Sequence, residues 1–454
     1  MRVALDRLRN ELGRVLGVLV FGSVARGTIE KGLIPRPGGS GWLRIPEDIA
    51  MATSTGRDGD ERLLRGYSGR IFVVVALGTL VANLGRQALP PLLPAIIEGL
   101  AITPAAAGFA MTLMRICFAV CQYPSGRVAD TVSRKIAIVG GLGGMVAGFV
   151  VLTRVPSYPV FLLSTALLGV GSAFFFVSER VLLSDLFVAR RGRAFGVNSA
   201  ISRIGSILAA GLAVVALSVG RWQLAFVPVV GLLLVIVGVF HVTSREPYGT
   251  EAFSRVGRAG GQVRETVGRV FGTSQVRWLV VAYTLVIFAW EGALTFLPTF
   301  LQVSKGLSPE FASGGFATLF AVGIVVQPLS GTLSDRWERR LVAGVATLVS
   351  VVGLAVLVVA DSLAFIVGGI LLYAAGIMAF TPVLQAYLMD IFPESTKGGD
   401  LGAFKTVYEG LSSLGPTYVG VVAGLAGYTL AFAGFLVCLL VSAAILFGLH
   451  YRSA

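Results

Sequence analysis

The sequence contains few charged residues and very few cysteines and histidines. Asp, Glu, Lys and Arg make up 13% of the 454 residues, whereas 55% are hydrophobic. So low a charged fraction excludes an ordinary soluble domain, in which about a quarter of the residues are charged. The cysteines at 117, 121 and 438 lie inside apolar runs, where they are expected to be buried hydrophobes rather than a disulfide set. The histidines at 241 and 450 form no metal-ligand cluster with other residues, so we predict neither a metal nor a cofactor.

Long apolar runs dominate the chain from residue 71 onward. A membrane-spanning helix needs roughly 20 predominantly apolar residues, and we count twelve such stretches. Their predicted bounds are 71–97, 104–124, 136–152, 159–187, 194–218, 222–242, 278–303, 309–333, 341–360, 362–391, 401–425 and 428–447. We therefore predict an all-α membrane protein with twelve transmembrane helices and the lipid bilayer as a partner.

The positive charge is distributed between the apolar runs rather than gathered on one face. The net charge of +13 would suggest nucleic-acid binding in a soluble protein, but this distribution predicts no nucleic-acid partner. Loops on one side carry most of the basic residues, namely Arg134, Lys135, Arg190, Arg191, Arg193, Arg255, Arg258, Arg264, Arg269, Arg336, Arg339 and Arg340. Because Lys and Arg near span ends resist translocation, both termini are predicted to be cytoplasmic, with the protein in the plasma membrane.

Residues 1–70 have a different composition, charged and glycine-rich. The string at 19–27, Leu-Val-Phe-Gly-Ser-Val-Ala-Arg-Gly, resembles the glycine–serine loop of the nucleotidyltransferase superfamily, but the Asp-x-Asp pair that holds magnesium in that family does not follow. An enzyme fused to a membrane anchor is therefore the less favoured interpretation. We predict a largely disordered cytoplasmic extension, with Met51 as an alternative start, and expect a chain beginning at Met51 to be as active as the full chain.

The chain repeats itself at an offset of about 205 residues. The string at 122–130, Gln-Tyr-Pro-Ser-Gly-Arg-Val-Ala-Asp, recurs at 327–335 as Gln-Pro-Leu-Ser-Gly-Thr-Leu-Ser-Asp, and the string at 222–226 recurs at 428–432. Several matches in order at one offset predict two six-helix halves, 71–242 and 276–454. The linker between them, 243–275, is rich in Gly and Arg and is expected to contain a short amphipathic cytoplasmic helix.

One motif occurs in both halves, as Gly126, Asp130, Arg134 and Lys135 after the second span and as Gly331, Asp335, Arg339 and Arg340 after the eighth. This Gly-x-x-x-Asp-x-x-x-basic-basic pattern resembles the signature of the major facilitator superfamily, as do Arg191-Gly192-Arg193 and the stretch 393–398. The resemblance covers residues 71–454 and implies two pseudo-symmetric six-helix bundles around a central cavity, with transport by alternating access.

The chemistry of the motif predicts a gate. Gly126 and Gly331 are expected to let two helices approach closely. The two aspartates can accept hydrogen bonds from the start of a facing helix and pair with nearby arginines, which would form a cytoplasmic latch. The first copy departs from the family pattern at Thr131 and Ser133, which weakens the predicted latch. The alternative is that the motif residues are positive-inside anchors with tight turns.

Several charged residues lie within predicted spans, and five of them stand out, namely Arg86, Arg115, Arg203, Glu291 and Glu409. A charge at mid-membrane costs roughly 2.5–3.5 kcal/mol on insertion scales, so each is expected to face a cavity or a partner. The repeat relates Arg86 to Glu291 and Arg203 to Glu409, so these residues are predicted to oppose each other across the centre. Arg180 and Gln385, which are equivalent in the repeat, are expected to extend a polar lining together with Glu179.

These residues lead to a hypothesis of substrate binding and coupling. Arg86 and Arg115 would bind an anionic group, and Glu291 would take up and release a proton, because burial favours the neutral form of a carboxyl group. The structural alternative is that Arg86–Glu291 and Arg203–Glu409 are plain salt bridges.

We accordingly predict a secondary transporter, not an enzyme, that moves a small, anionic organic solute with a proton or another ion and functions as a monomer. A drug/proton efflux transporter is the alternative, since aromatic residues could line its pocket, namely Phe174, Phe175, Phe176, Phe288 and Trp290. A membrane receptor that binds without moving solute stays open.

Overall fold

The computed structural model describes residues 33–35, 42–44, 63, 66–188, 190–245, 271–392 and 397–451. The string at 19–27, the linker residues 246–270 and residues 393–396 lie outside this range, as does the side chain of Asp130. The strands β1 (Leu33–Pro35) and β2 (Trp42–Arg44) pair antiparallel, with Leu33 opposite Arg44. Gly69–Ala454 forms a compact unit of its own, separate from Met1–Ser68.

The helices of the first half are α1 Gly66–Gly99, α2 Pro104–Thr131, α3 Arg134–Leu152, α4 Tyr158–Leu186, α5 Arg191–Ser218 and α6 Phe226–Thr243, with a short 3₁₀ helix at Trp222–Ala225. Those of the second half are α7 Ser274–Val303, α8 Pro309–Arg336, α9 Arg339–Val359, α10 Leu363–Ile391, α11 Lys397–Ser412, α12 Gly415–Ala426 and α13 Tyr428–Tyr451. Local sequence sets several starts: Thr103 caps α2 by accepting from the Ala106 amide at 3.2 Å, and Pro104 and Pro309 occupy first-turn positions.

Within the described residues, eleven helices are long and apolar enough to cross a membrane. The eleventh predicted span, 401–425, is instead formed by α11 and α12 with a break between them. Pro416 in the first turn of α12 has no N–H to donate to the carbonyl of Ser412, so a continuous helix would lose a hydrogen bond there. Ser412 and Ser413 at this break line the cavity described below.

Glycines set close helix contacts at equivalent places in the two halves. A Cβ at Gly171 would collide with backbone atoms of α3, and one at Gly376, 205 positions later, would collide with α9. The helix pairs α3–α4 and α9–α10 therefore pack backbone to backbone. The predicted close approach at the motif glycines is wrong for this structure: a Cβ at Gly331 would meet nothing within 4 Å, and one at Gly126 only Val177 at 3.7 Å.

The two halves meet through two contacts that the repeat relates to each other. Helix α2 packs on α12, and α5 packs on α8. Since α8 is the repeat of α2, and the eleventh span is the repeat of α5, these are the same contact made twice. On the outer surface of the bundle many large apolar side chains are exposed, among them Val215, Val235, Phe365 and Val437, as expected for a lipid-facing surface.

Candidate functional site

A cavity of about 240 Å³ lies where the two halves meet. It is lined from the first half by Arg86 on α1 and by Arg115, Phe118 and Ala119 on α2, and from the second half by Tyr283, Ile287, Trp290, Glu291, Thr381, Tyr408, Glu409, Ser412 and Ser413. Helical spacing explains the convergence, since Tyr283, Ile287 and Glu291 lie four residues apart on one face of α7. Four of the five charged residues singled out within the spans therefore come together, and Arg203 lies outside this lining.

Arg115 and Glu291 form an ion pair across the two halves. The Nη1 atom of Arg115 bonds to Oε2 of Glu291, and both side chains are largely buried, at 18% and 17% exposure. A largely buried charge is costly without a partner, so the two side chains stabilise each other in this arrangement. The pair differs from the structural alternative drawn from the repeat, in which Glu291 would pair with Arg86.

Arg86 is held by aromatic rings instead of by a carboxylate. Its guanidinium carbon lies 5.4 Å from the ring centre of Phe118 and 5.5 Å from that of Phe176, within the range of cation–π attraction. Among the described residues no carboxylate oxygen lies within 4.0 Å of Arg86. Its charge is therefore compensated by ring faces and stays available to an anion in the cavity.

Arg203 and Glu409 do not pair with each other, because each is bound by a glutamine of the opposite half. The Gln122 amide donates to Glu409 Oε2, and Arg203 Nη2 donates to Gln327 Oε1. Gln122 and Gln327 are equivalent in the repeat, as are Arg203 and Glu409, so one cross-half contact occurs twice. Glu409 also binds Lys405 at 3.3 Å. The repeat strings contain both glutamines, but sequence reasoning did not select them because neither carries a charge.

Thr112 on α2 forms hydrogen bonds with backbone groups at the break between α11 and α12. Its hydroxyl donates to the Ser413 carbonyl at 2.8 Å and accepts from the Thr417 amide at 3.2 Å. These are backbone groups that an unbroken helix would have paired with each other. On the same side, a Cβ at Gly108 would collide with the Pro416 carbonyl. The contact therefore joins the first half to the break beside Ser413, which lines the cavity.

The basic residues of the repeated motif form ion pairs within their own half. Arg134 pairs with Asp185 on α4 at 2.6 Å, and Arg339, its repeat equivalent, pairs with Asp390 on α10 at 2.9 Å and with Asp335 at 3.8 Å.

The second basic residues of the motif also contact their own half. Lys135 donates to the Ser244 carbonyl at 3.0 Å, and Arg340 donates to that of Leu449 at 2.7 Å. Among the described side chains the motif thus joins helices of one half, and the predicted latch between halves stays a prediction.

Arg180 and Gln385 do not line the cavity. Both side chains are exposed, on α4 and α10. Successive side chains on a helix point about 100° apart. Because Glu179 points into the interior, the next side chain, Arg180, points away from it. The predicted polar lining through these two residues is therefore wrong for this cavity.

The comparison with protein families decides the identity of this architecture. The sequence model of the Major Facilitator Superfamily matches residues 75–416 and 306–453. The chain belongs to the Major Facilitator Superfamily. It is therefore a multi-pass membrane protein.

Curated relatives and solved structures agree with this placement. The probable sulfoacetate transporter SauU of Cupriavidus necator is 22% identical over 286 residues, which cover 60% of this chain and 65% of the relative. An uncharacterized MFS-type transporter of Mycobacterium tuberculosis is 24% identical over 328 residues, which cover 61% of this chain and 47% of the relative. The matches thus span less than two thirds of the length of these relatives.

The fold agrees with solved MFS structures. A bacterial homologue of the human lysosomal transporter Spinster, inward-facing and unoccupied, superposes with a TM-score of 0.73 at 17% identity, covering 85% of this chain and 97% of that one. A mutant of the nucleoside transporter NupG superposes with a TM-score of 0.71 at 13% identity, covering 84% and 99%. The predicted fold, two six-helix halves of MFS type, is confirmed.

Proposed function

We propose that this MFS protein is a secondary transporter that moves a small organic anion together with a proton through the central cavity. The charge of the cavity supports an anionic solute. Arg86 and Arg115 bring two positive charges to its lining, and Glu291 and Glu409 bring two negative ones. Arg115 pairs with Glu291, and Lys405, which lies outside the lining, pairs with Glu409, so the positive charge of Arg86 is left over. Since Arg86 has aromatic neighbours instead of an acidic partner, it is the residue that meets the anion first.

The Arg115–Glu291 ion pair carries the proposed coupling. An anion that binds Arg115 must displace Glu291, and a buried carboxylate without its partner is stabilised by taking up a proton. Anion and proton therefore bind together and leave together. When the solute is released, Glu291 loses its proton and pairs with Arg115 again.

The contact that Thr112 makes between the two halves supports alternating access. We infer that the α2–α12 and α5–α8 contacts separate and re-form as the halves rock, so that the cavity opens to one side at a time. We further propose a plasma-membrane location with both termini cytoplasmic, and a functional monomer, since one chain supplies the whole cavity.

Uptake into proteoliposomes tests the proposal. Sulfoacetate and small carboxylates serve as the first probes, because the relative SauU is named for sulfoacetate; amides of the same size and lipophilic cations serve as neutral and cationic controls. We expect accumulation of an anion when the outside is more acidic than the inside. Glu291→Gln should retain exchange of labelled for unlabelled anion and lose accumulation driven by the proton gradient. Unaltered accumulation by this variant would contradict the coupling role, and uptake of the lipophilic cations in place of anions would support the efflux alternative.

A further inference from the structure

A second polar cluster lies inside the first half, away from the central cavity. Glu179 on α4 is 1% exposed, Thr79 on α1 is 2% exposed, and Asn198 on α5 is 8% exposed. The Asn198 amide nitrogen donates to Oε1 of Glu179, and the Thr79 hydroxyl is an immediate neighbour of the same carboxylate. Three helices thus bring one oxygen-bearing side chain each to a common point.

Glu179 has no counter-ion in this cluster. Among the described residues it makes no ion pair within 4.0 Å, and the adjacent Arg180 is exposed. An isolated carboxylate is costly to bury unless it gains a proton or a cation. An ionisable group at this depth in a membrane protein is also a default indication of function.

The unpartnered atoms of the cluster are all oxygens. Oε2 of Glu179 and Oδ1 of Asn198 are buried and have no hydrogen-bond partner among the described residues. The buried Thr79 hydroxyl interacts with the Glu179 carboxylate and keeps lone pairs with which it can bind a cation. A proton on Glu179 would donate to one acceptor and leave others unsatisfied. A metal cation accepts lone pairs from several oxygens at once, and carboxylate, carboxamide and hydroxyl oxygens are ligands of hard cations.

The charge of the cluster indicates the charge of the cation that it would bind. One carboxylate balances one positive charge, whereas a divalent ion would leave a net positive charge buried among apolar helices. We propose that Thr79, Glu179 and Asn198 form a binding site for a small monovalent metal cation, with sodium as its occupant. The site goes beyond the proposed function, because it requires no transport through the central cavity.

Its position connects it to the cavity. Thr79 and Arg86 are seven residues apart on α1, which is about 10 Å along the helix. Phe176, which packs against the Arg86 guanidinium at 5.5 Å, precedes Glu179 on α4 by one turn. A cation bound between α1 and α4 would therefore hold Arg86 against Phe176 and set the position of the proposed anion-binding residue.

Thermal unfolding of the purified full chain in detergent tests the site without any transport measurement. Sodium is raised while choline keeps the ionic strength constant, with potassium as a second series. We expect sodium to raise the melting temperature by about 2–4 °C at saturation, and choline to leave it unchanged. Absence of a shift specific to sodium in the unaltered chain would overturn the proposal.

Three variants locate the effect. Glu179→Gln should lose the sodium shift, and Thr79→Val, which keeps the side-chain shape, should raise the half-maximal sodium concentration about tenfold. Asp361→Asn, which changes an exposed carboxylate between α9 and α10, should keep the shift. If Glu179→Gln does not fold, Asn198→Ala takes its place. An equal shift in the site variants and the control would place the sodium elsewhere and overturn the assignment.

A sodium shift without anion uptake would leave this site standing and contradict the proposed function alone.

Discussion

At the residue scale, Arg86 is a half-buried cation whose neighbours are rings. A guanidinium between Phe118 and Phe176 is positioned by its planar faces, and a lysine ammonium cannot stack in the same way. We expect Arg86→Lys to weaken anion binding about tenfold and Arg86→Ala to weaken it further, measured by ligand-induced thermal stabilisation. Arg180→Lys, an exposed change on α4, is the matched control and should bind normally. Equal affinity in Arg86→Ala would remove this residue from the site.

A second prediction at the residue scale concerns Glu291 and the pH dependence of anion binding. As the pH rises, Glu291 is deprotonated and re-forms its ion pair with Arg115, which competes with the anion. Anion affinity should therefore fall with rising pH in the unaltered chain. In Glu291→Gln the competitor is absent at every pH, so the affinity should be high and nearly independent of pH. A pH profile that is the same in both proteins would argue against the competition.

At the scale of elements, the break between α11 and α12 depends on a side chain of the other half. Thr112 is 1% exposed and bonds to backbone groups on both sides of the break. Thr112→Val leaves the Ser413 carbonyl and the Thr417 amide buried and unpaired, which costs about 1–3 kcal/mol. We expect chemical unfolding to show a free energy of unfolding that is lower by this amount in Thr112→Val. Thr112→Ser keeps the hydroxyl and should be close to the unaltered protein; an equal loss in both variants would assign the effect to packing.

The glutamine contacts belong to this scale as well. Gln122 binds Glu409 and Gln327 binds Arg203, so each joins one half to the other at repeat-related positions. Because the two contacts are equivalent, Gln122→Ala and Gln327→Ala should change the rate of anion exchange in the same direction. Opposite effects would show that only one of them is part of the moving interface. Thr318→Ala, a change at a half-buried position of α8 outside the central cavity, is a suitable control.

At the scale of the whole molecule, the prediction concerns orientation in the membrane. Asp361 between α9 and α10 and Arg190 before α5 are both exposed and lie in loops on opposite sides of the predicted topology. Asp361→Cys should react with a membrane-impermeant maleimide in intact cells, whereas Arg190→Cys should react after permeabilisation only. The unaltered chain, with its cysteines inside spans, controls for background labelling. The reverse pattern would invert the proposed topology.

The sequence by itself determined the membrane class, the family and the two-half architecture. Apolar runs of about 20 residues permit no other stable arrangement in a bilayer than helices that satisfy their own backbone hydrogen bonds. The repeat offset of 205 residues then relates Gln122 to Gln327 and so the two halves to each other. The same reasoning selected Arg86, Arg115, Glu291 and Glu409, because a charge inside a span needs a polar surrounding.

The tertiary structure decided which of these charges are partners. The repeat suggested Arg86 opposite Glu291, but the partner of Glu291 is Arg115, because contact across the interface depends on the depth and rotation of each helix and not on its place in the repeat. Likewise the break after Ser412 is bound by Thr112, some 300 residues earlier, a pairing that no local pattern contains. Side-chain pairing between helices is set by packing, and packing is a property of the folded bundle.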